Sequence, residues 1–363
     1  MLKTRLLKFI DKGIGTLAVR CITRPFPAGK PETLHSILFI RPGGIGDASL
    51  LIPAILAFRE RYLGARIAVL AEKRNGAVFG LCPAVDELLL YDRRGDLRKA
   101  VCGTYDAVID TEQWHRLSAV VARMTRAPML IGYATNEKKR LFTHSVPYSH
   151  DDYEADSFFH LLHVFGIATP PEMPAPFLAV PADAAKRGEG LLGKYIAQPF
   201  VAIFPGASIP ERRWGADKFR KVAESLNARG IPVVVVGGKG DATDGDRIIT
   251  GEYGLNLAGK TSLAETAAVI EKAAILVSGD SGILHIGVGL DKPTVSLFGP
   301  GIAKKWAPRG ERHIVINKRF PCSPCTKFGY TPKCPRKAKC MTDITVDEVV
   351  AAVEKLIAIK TDD

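Results

Sequence analysis

Short apolar runs that alternate with helical stretches constrain the fold of this chain more than any other feature. The first run, 34–40 (LHSILFI), ends at the turn Arg41-Pro42-Gly43-Gly44, after which a helix is expected from about Asp47 to Leu63. Further strands are predicted at 66–71, 87–91, 105–110, 129–132, 200–204, 232–236, 255–258, 275–278 and 293–298. This alternation is typical of parallel βαβ units. We therefore expect an α/β fold with two doubly wound halves, whose ligand sites lie at the carboxyl ends of their strands.

A proline-rich segment separates the two series of strands. Residues 168–181 (ATPPEMPAPFLAVP) contain five prolines, a composition typical of a linker or a surface crossing. The 363 residues are enough for about two domains. We predict a basic N-terminal extension at 1–33, domains at 34–180 and 181–345, and a final helix at 346–363 that could pack back on the N-terminal domain.

The N-terminal extension holds much of the positive charge of the chain, which is +12 overall. Residues 1–30 contain seven lysines and arginines and one acidic residue, and apolar residues recur there at helical spacing. Such a helix can lie on an anionic membrane surface, or it can pack on the protein with a solvated basic face. Nucleic acid is not an expected partner, because no zinc-finger or RNP motif accompanies the charge. Since no apolar run is long enough to span a bilayer and Asp11 and Lys12 interrupt any signal-like region, a cytoplasmic location is expected.

The turn after the first strand reads Gly43-Gly44-Ile45-Gly46-Asp47. Its glycines allow positive φ and close approach of a ligand, and the first amides of the following helix attract an anion. Asp47 is a candidate catalytic carboxylate, although it could instead cap the helix. Ser49 occupies the place of the third glycine of a dinucleotide-binding fingerprint, so that motif is incomplete.

Polar residues follow other predicted strands as well. In the first half, Glu112 and Gln113 could line the same edge as Asp47 or belong to a surface loop. In the second half, small, basic and acidic side chains stand where phosphates and ribose hydroxyls are commonly bound. These candidates are Ser208, Arg212, Asp241, Asp280, Ser281 and Gly282. The alternative for Asp280 and Ser281 is an ordinary helix cap.

Residues 254–261 (GLNLAGKT) match the phosphate-loop pattern G-x-x-x-x-G-K-[ST]. A phosphate loop follows a buried strand, but no strong strand precedes Gly254, and the apolar residues LNLA inside the motif are predicted to form a strand themselves. Ser262 and Glu265 form a capping-box pattern that accounts for the next helix. A phosphate-loop nucleotidase therefore remains an alternative hypothesis with little support.

Four thiols lie within 19 residues near the C-terminus: Cys322, Cys325, Cys334 and Cys340. Four cysteines can bind zinc tetrahedrally, although their spacing departs from paired C-x-x-C motifs. The surrounding lysines and arginines are expected to favour thiolates. Reduced thiols and a structural zinc are both consistent with the sequence, and disulfides are less so in a cytosolic protein.

Taken together, these stretches resemble glycosyltransferase family nine, the lipopolysaccharide heptosyltransferases. The resemblance covers about residues 35–360. It rests on IRPGGIGDASLLIPAILAFRERY, FPGASIPERRWGADKF, NLAGKTSLAE and SGDSGILHIGVGLDKPTVSLFGP. It implies a GT-B architecture, in which two Rossmann-like domains face a central cleft with the acceptor on the N-terminal side and the nucleotide sugar on the C-terminal side. The basic N-terminal extension does not belong to the common pattern of the family.

The resemblance also implies roles for individual residues. Asp47 matches the general base, with Gly44, Gly46, Glu112 and Gln113 on the acceptor side. Asp280, Ser281 and Gly282 match the diphosphate turn, Ser208 lies near a phosphate contact, and Asp241 lies where ribose is bound. Arg212 stands where many members have a lysine, and Gly215 replaces a common proline. The implied reaction is inverting transfer of a heptose or related sugar from an ADP-sugar to a lipid-linked acidic oligosaccharide of the lipopolysaccharide core, with no cofactor required. A non-catalytic module that binds anionic surfaces is the remaining alternative.

Overall fold

The computed structural model describes residues 10–25, 33–327 and 330–362, so residues 1–9 and 26–32 of the predicted extension lie outside the described residues. The chain divides into two compact units, Met1–Pro174 and Ala175–Asp363. The division falls inside the proline-rich segment. Phe177 and Leu178 already belong to the second unit, because their amides both donate to the carbonyl of Gly289.

The first unit contains a six-stranded parallel sheet. Its strands are β1 (Ser36–Ile40), β2 (Arg66–Ala71), β3 (Glu87–Leu90), β4 (Ala107–Asp110), β5 (Met129–Tyr133) and β6 (His144–Val146). Their order is β3-β2-β1-β4-β5-β6, which is the Rossmann order. The helices are α1 (Thr16–Cys21), α2 (Ile45–Arg61), α3 (Gly76–Phe79), α4 (Asp96–Cys102), α5 (Leu117–Met124) and α6 (Glu154–His160), and α1 continues a π-helical turn at Asp11–Gly15.

The second unit repeats this architecture. Its strands are β7 (Val201–Phe204), β8 (Val233–Val235), β9 (Gly254–Asn256), β10 (Ile275–Gly279), β11 (Thr294–Phe298) and β12 (His313–Asn317), in the order β12-β11-β10-β7-β8-β9. Its helices are α7 (Ala182–Leu192), α8 (Ala216–Asn227), α9 (Ala242–Ile248), α10 (Leu263–Lys272), α11 (Gly282–Gly289), α12 (Ala303–Trp306), α13 (Lys339–Thr342) and α14 (Val346–Asp362). The predicted α/β class, with two doubly wound Rossmann-like halves, is confirmed.

Two strands escaped prediction, and both lie at the edge of a sheet. In β6 two residues are partly buried and Ser145 is exposed, and all five residues of β12 are only partly buried. A central parallel strand is covered on both faces and therefore shows a continuous apolar run, as in β7 and β8. The edge strands β6 and β12 are partly open to solvent, so their sequences contain polar residues and lack the continuous apolar run of a buried strand.

The helices at the two ends of the described chain each contribute apolar side chains to the core of one unit. The C-terminal helix α14 belongs to the second unit, where Val349, Val353 and Leu356 join its core. At the other end, Val19 of α1 is fully buried in the core of the first unit, which agrees with a helix packed on the protein. Among the described residues, no helix is long and apolar enough to cross a membrane.

Candidate active site

The turn between β1 and α2 presents Asp47 at the carboxyl edge of the first sheet. Gly43 has φ +113°, a conformation that requires glycine, and a Cβ there would lie 3.1 Å from Nη2 of Arg41. The helix begins at Ile45 with Gly44 as its N-cap, so Asp47 is the third helical residue. No side chain caps this helix. Asp47 therefore does not act as the cap, which was the alternative to a catalytic role.

Arg41 lies beneath Asp47 and is only 2% exposed. Its Nη2 is 3.6 Å from Oδ2 of Asp47 and 3.5 Å from Oε2 of Glu112. Its Nε donates to the carbonyl of Pro42 and its Nη1 to that of Thr111, each at 2.7 Å. Burial opposes the charge, but the carboxylates of Asp47, Glu112 and Glu154 outweigh it and raise the pKa of Arg41. The guanidinium is thus a fixed cation that connects the base candidate to the loop after β4.

Glu112 and Gln113 form this loop, and both are buried. Oε1 of Glu112 accepts hydrogen bonds from the amides of Trp114 and His115, at 3.0 and 3.3 Å. Burial raises the pKa of Glu112, but Arg41 and other cations more than compensate and lower it overall. Gln113 accepts from Arg41 and donates to Glu154. The structure places both predicted residues under Arg41, whereas Trp114, which is 39% exposed, reaches the surface.

A second buried ion pair supports the same loop and was not predicted. Nζ of Lys138 lies 3.3 Å from Oδ2 of Asp110, and both side chains are fully buried. Lys138 also donates to the carbonyl of Glu112. Burial raises the pKa of Asp110 although Lys138 opposes the shift. In the sequence, Lys138 stands in the run Glu137-Lys138-Lys139-Arg140, which looks like an ordinary solvated charge run, so no local signal marks it.

Exposed cations surround the same edge of the first sheet. Nε of Arg74 donates to the carbonyl of Gly43 at 3.2 Å, which places this guanidinium beside the glycine turn. Lys73 follows β2, and Arg93 and Arg94 follow β3, all with exposed side chains. Arg74 is paired with Glu72 and Arg93 with Asp96, so part of this positive charge is neutralised within the edge itself.

In the second unit, Ser281 is the N-cap of α11, since its Oγ accepts from the amide of Leu284 at 3.4 Å. Its hydroxyl also shares a 2.8 Å hydrogen bond with Ser278. The cap interpretation thus holds for Ser281, but it leaves the first helical amides, those of Gly282 and Ile283, without intrahelical acceptors. Amides of this kind can bind an anion, and these lie just after the carboxyl end of β10.

Arg212 and Asp280 meet next to the start of α11. Nη1 of Arg212 lies 2.8 Å from Oδ2 of Asp280, and their side chains are 14% and 6% exposed. Glycines allow this approach. A Cβ on Gly301 would lie 1.9 Å from Oδ2 of Asp280, and one on Gly279 would lie 3.3 Å from the carbonyl of Arg212. Asp280 therefore serves as the partner that orients Arg212.

Asp241 and Ser208 lie in neighbouring loops of the second sheet. Oδ2 of Asp241 accepts from the amide of Gly238 at 3.0 Å, and Oδ1 lies 3.5 Å from Nη2 of Arg213. The carboxylate closely approaches Gly206, where a Cβ would be 2.4 Å away. Ser208 is exposed two residues further along that loop. The loops after β7 and β8 are thereby held together around Asp241.

Each unit thus contains a parallel sheet with polar side chains at its strand ends. Asp47 lies at this edge of the first sheet, and Arg212 and Asp280 lie at that of the second. The comparisons with known proteins agree with this arrangement. The profile of glycosyltransferase family 9 (heptosyltransferase) matches residues 94–334. The chain belongs to glycosyltransferase family 9. It is 28% identical to lipopolysaccharide heptosyltransferase 3 of Escherichia coli K12 over 86% of this chain and 95% of that protein.

Solved structures agree with the family 9 fold. A family 9 glycosyltransferase from Veillonella parvula superposes with a TM-score of 0.76 at 20% identity, covering 92% of this chain and 99% of the other. The Escherichia coli ADP-heptose lipopolysaccharide heptosyltransferase II superposes with a TM-score of 0.75 at 23% identity, covering 90% and 99%. At these identities the likeness concerns the fold.

The phosphate-loop motif of this glycosyltransferase has a different structure from a true phosphate loop. Its first three residues, Gly254–Asn256, form strand β9, and Nζ of Lys260 donates to the carbonyl of Asn256 at 2.8 Å. Ser262 and Glu265 form the predicted capping box at the start of α10. The nucleotidase hypothesis is therefore wrong for this segment, since a strand occupies the place of the phosphate-binding loop.

The C-terminal cysteines do not behave as charge alone suggested. Burial, together with the neighbouring thiols, raises the pKa of Cys325 and of Cys340, so the lysines nearby do not produce thiolates there. Cys325 donates its amide to the carbonyl of Pro300, and Cys340 is buried in α13. Within the part of the chain that the structure describes, no group of three or more His, Cys, Asp or Glu side chains is arranged to hold a metal. The zinc hypothesis thus gains no support from the geometry.

Proposed function

We propose that this family 9 enzyme is an inverting glycosyltransferase that moves a heptose, or a related sugar, from an ADP-sugar to an acceptor of the lipopolysaccharide core. The observation that carries the proposal is the partly exposed carboxylate of Asp47, held at the start of a helix by the buried Arg41. The names of its relatives support heptose as the sugar and ADP as the nucleotide.

Asp47 would act as the general base. In this mechanism its carboxylate takes the proton from the acceptor hydroxyl while that oxygen attacks the anomeric carbon and the bond to the nucleoside diphosphate breaks. Its side chain is 28% exposed, which allows contact with a substrate, and the ion pair with Arg41 fixes its direction. Gly44 and Gly46 keep the turn beside it free of side chains, so that an acceptor can approach.

The second unit would bind the donor. Arg212, oriented by Asp280, and the amides of Gly282 and Ile283 would stabilise the charge that develops on the leaving diphosphate. Ser208 would add a hydroxyl contact to phosphate, and Asp241 would accept hydrogen bonds from ribose. Because protein groups supply the positive charge in this proposal, no metal or other cofactor takes part in it.

The acceptor in this proposal is a lipid-linked acidic oligosaccharide. The exposed cations Lys73 and Arg94 favour phosphate or carboxylate groups near Asp47, whereas Arg74 and Arg93 already share their charge with Glu72 and Asp96. Trp114 offers an exposed aromatic face for a sugar ring. An acceptor of this kind implies work at the cytoplasmic face of an anionic membrane as a peripheral protein, with no role for nucleic acid.

The test is ADP release from ADP-heptose in the presence of a core acceptor. Asp47→Asn keeps the size of the side chain and removes its basicity, so we expect turnover to fall about 10²–10⁴-fold. Asp92→Asn is the matched control, because Asp92 follows β3 at the same edge and is bound to the amide of Lys73. Unchanged turnover in Asp47→Asn would refute the proposed base.

The donor class can be tested separately by thermal unfolding. A ligand at about 100 times its Kd stabilises the folded state by about 2.7 kcal/mol. We expect ADP-sugars to raise Tm more than GDP-, UDP- or CDP-sugars do at equal concentration. Equal stabilisation by all four nucleotides would contradict ADP as the preferred base.

A further inference from the structure

The outer face of the N-terminal helix is apolar, although its inner face packs normally. Ile14 and Leu17 are 62% and 64% exposed and lie one helical turn apart. The inner face buries Val19 and Asp11, so the helix cannot turn these side chains inward without leaving its place. A single exposed apolar side chain needs no explanation, but Ile14 and Leu17 form an apolar stripe at the centre of a cationic segment, and this stripe does.

Exposed cations flank this stripe at both ends. Lys12 lies before it and Arg20 and Arg24 lie beyond it, all with exposed side chains. The one acid of the segment, Asp11, is buried and accepts hydrogen bonds from the amides of Arg116 and Leu117, at 2.7 and 2.8 Å. Its charge therefore does not neutralise the outer face of the helix.

A basic cavity of about 340 Å³ lies at the end of this segment. Its lining includes Arg24, Lys139 and Arg140, together with the hydroxyl-bearing Ser145. Arg140 is held against the helix, since its Nη1 donates to the carbonyl of Arg20 at 3.0 Å. Three cations and a hydroxyl around one small cavity suit a phosphate group.

We propose that residues 10–25, with Lys139 and Arg140, form a docking surface for an anionic phospholipid bilayer. Ile14 and Leu17 would enter the boundary between headgroups and acyl chains, as apolar residues of interfacial helices do. The cations on either side would meet lipid phosphates, one of them within the cavity. A nucleic acid fits this surface less well, because its phosphates would face Ile14 and Leu17 across the middle of the stripe.

The location of the surface suits an enzyme with a lipid-linked substrate. Asp11 caps the start of α5, and α5 directly follows the loop that carries Glu112 and Trp114. The docking surface therefore begins at the carboxyl edge of the first sheet, where Asp47 lies. A bilayer bound along the helix would bring lipid-linked sugars to that edge. The docking itself does not depend on the sugar that is transferred.

Vesicle sedimentation with the full-length protein tests the proposal without any substrate. We expect binding to phosphatidylcholine vesicles with about 30 mol% phosphatidylglycerol, weak binding to phosphatidylcholine alone, and release at about 0.5 M NaCl. The double variant Ile14→Glu and Leu17→Glu should lower the partition coefficient at least roughly 100-fold. Leu63→Glu is the matched control, because Leu63 is 79% exposed at the end of α2 and should leave binding unchanged.

The cavity is tested by a second pair of substitutions. Arg24→Gln with Lys139→Gln should weaken binding about 25-fold, at about fivefold for each cation lost near an anionic surface. Lys186→Gln with Lys221→Gln removes two exposed cations from the second unit and should have no effect.

Four results would overturn the proposal: no sedimentation with anionic vesicles, equal binding to neutral vesicles, full binding by either docking variant, or binding to DNA in place of vesicles. ADP release with a delipidated acceptor should be unchanged in the docking variants. That control separates failure of docking from failure of the proposed transfer reaction.

Discussion

Arg41→Met tests whether the buried guanidinium stabilises the first unit. The substitution leaves Glu112, whose side chain is only 8% exposed, without its cationic partner. Removing one member of a buried ion pair costs about 3–5 kcal/mol. The carbonyls of Pro42 and Thr111 also lose charge-assisted hydrogen bonds. In a unit of this size each kcal/mol lowers Tm by about 2–4 °C, so we expect a fall of roughly 6–20 °C.

Arg41→Lys separates stability from the positioning of Asp47. Lysine keeps a positive charge near both carboxylates but loses the planar fork that reaches several acceptors at once. Because displacing a catalytic group by about 1 Å can cost about 10²-fold in rate, we expect kcat to fall about 10–100-fold. The KM for the ADP-sugar should change little, since the proposed donor contacts lie in the second unit. Both constants come from ADP release, and Tm from thermal unfolding followed by circular dichroism.

Arg59→Met is the control for these two variants. Arg59 lies at the C-terminal end of α2, the helix that carries Asp47. It donates to the carbonyls of Leu63, Ala65 and Ala84 and pairs with Asp86. Its loss should lower Tm without lowering kcat at a temperature where the protein is folded. The positioning argument fails if Arg41→Lys keeps full kcat, or if Arg59→Met loses as much kcat as Arg41→Lys.

Three further predictions follow from the second unit. Gly301→Ala places a Cβ 1.9 Å from Oδ2 of Asp280, so we expect Asp280 to move and the KM for the ADP-sugar to rise about tenfold. Gly190→Ala is the control, because a Cβ there meets open space, and its KM should be unchanged. Lys260→Ala should leave ADP binding in calorimetry unchanged, because Nζ only bonds the carbonyl of Asn256, and a large loss of affinity would restore the phosphate-loop hypothesis. Burial lowers the pKa of His285 to about 4. The imidazole in the unfolded chain therefore binds a proton more tightly than the buried imidazole does. The contribution of neutral His285 to the free energy of unfolding is present above pH 6.5 and is lost as the pH falls toward 4. At pH 5 the free energy of unfolding is lower than at pH 7 by about 2 kcal/mol from this residue. His285→Gln should show a smaller fall of Tm between pH 7 and pH 5, and an equal fall in both proteins would contradict this assignment.

The central strands and the glycine turns were predictable because their signals are local. A strand such as β7 is buried along its whole length, which favours a continuous apolar run. Gly43 precedes a helix and has a positive φ, and both facts are visible in the sequence as a glycine-rich turn. Such features depend on a few neighbouring residues and not on the rest of the fold.

The support of the candidate site was not predictable, because it depends on contacts between distant segments. Arg41 meets Glu112 across 71 positions, and Lys138 reaches Asp110 across 28. Buried charges look the same in a sequence as exposed charges, and Lys138 stands among other charged residues. Glu112 follows β4, and its buried side chain is paired with Arg41, a contact that no local pattern indicates; its place on the acceptor side stays a prediction.

Both units pair an arginine with an aspartate near strand ends, and the two pairs differ in exposure. In the first unit Arg41 directly follows β1 and meets Asp47 of α2, whereas in the second Asp280 directly follows β10 and meets Arg212 from the loop after β7. In the first pair the arginine is buried and the carboxylate is 28% exposed, so the carboxylate is the group that can meet a substrate. In the second pair the carboxylate is only 6% exposed and the arginine 14%, so Asp280 cannot readily receive a proton from a substrate and the arginine is the more accessible partner. A base is therefore expected from the first unit and a phosphate contact from the second, and exchanging the arginine of the second pair for lysine should affect donor affinity before it affects proton transfer.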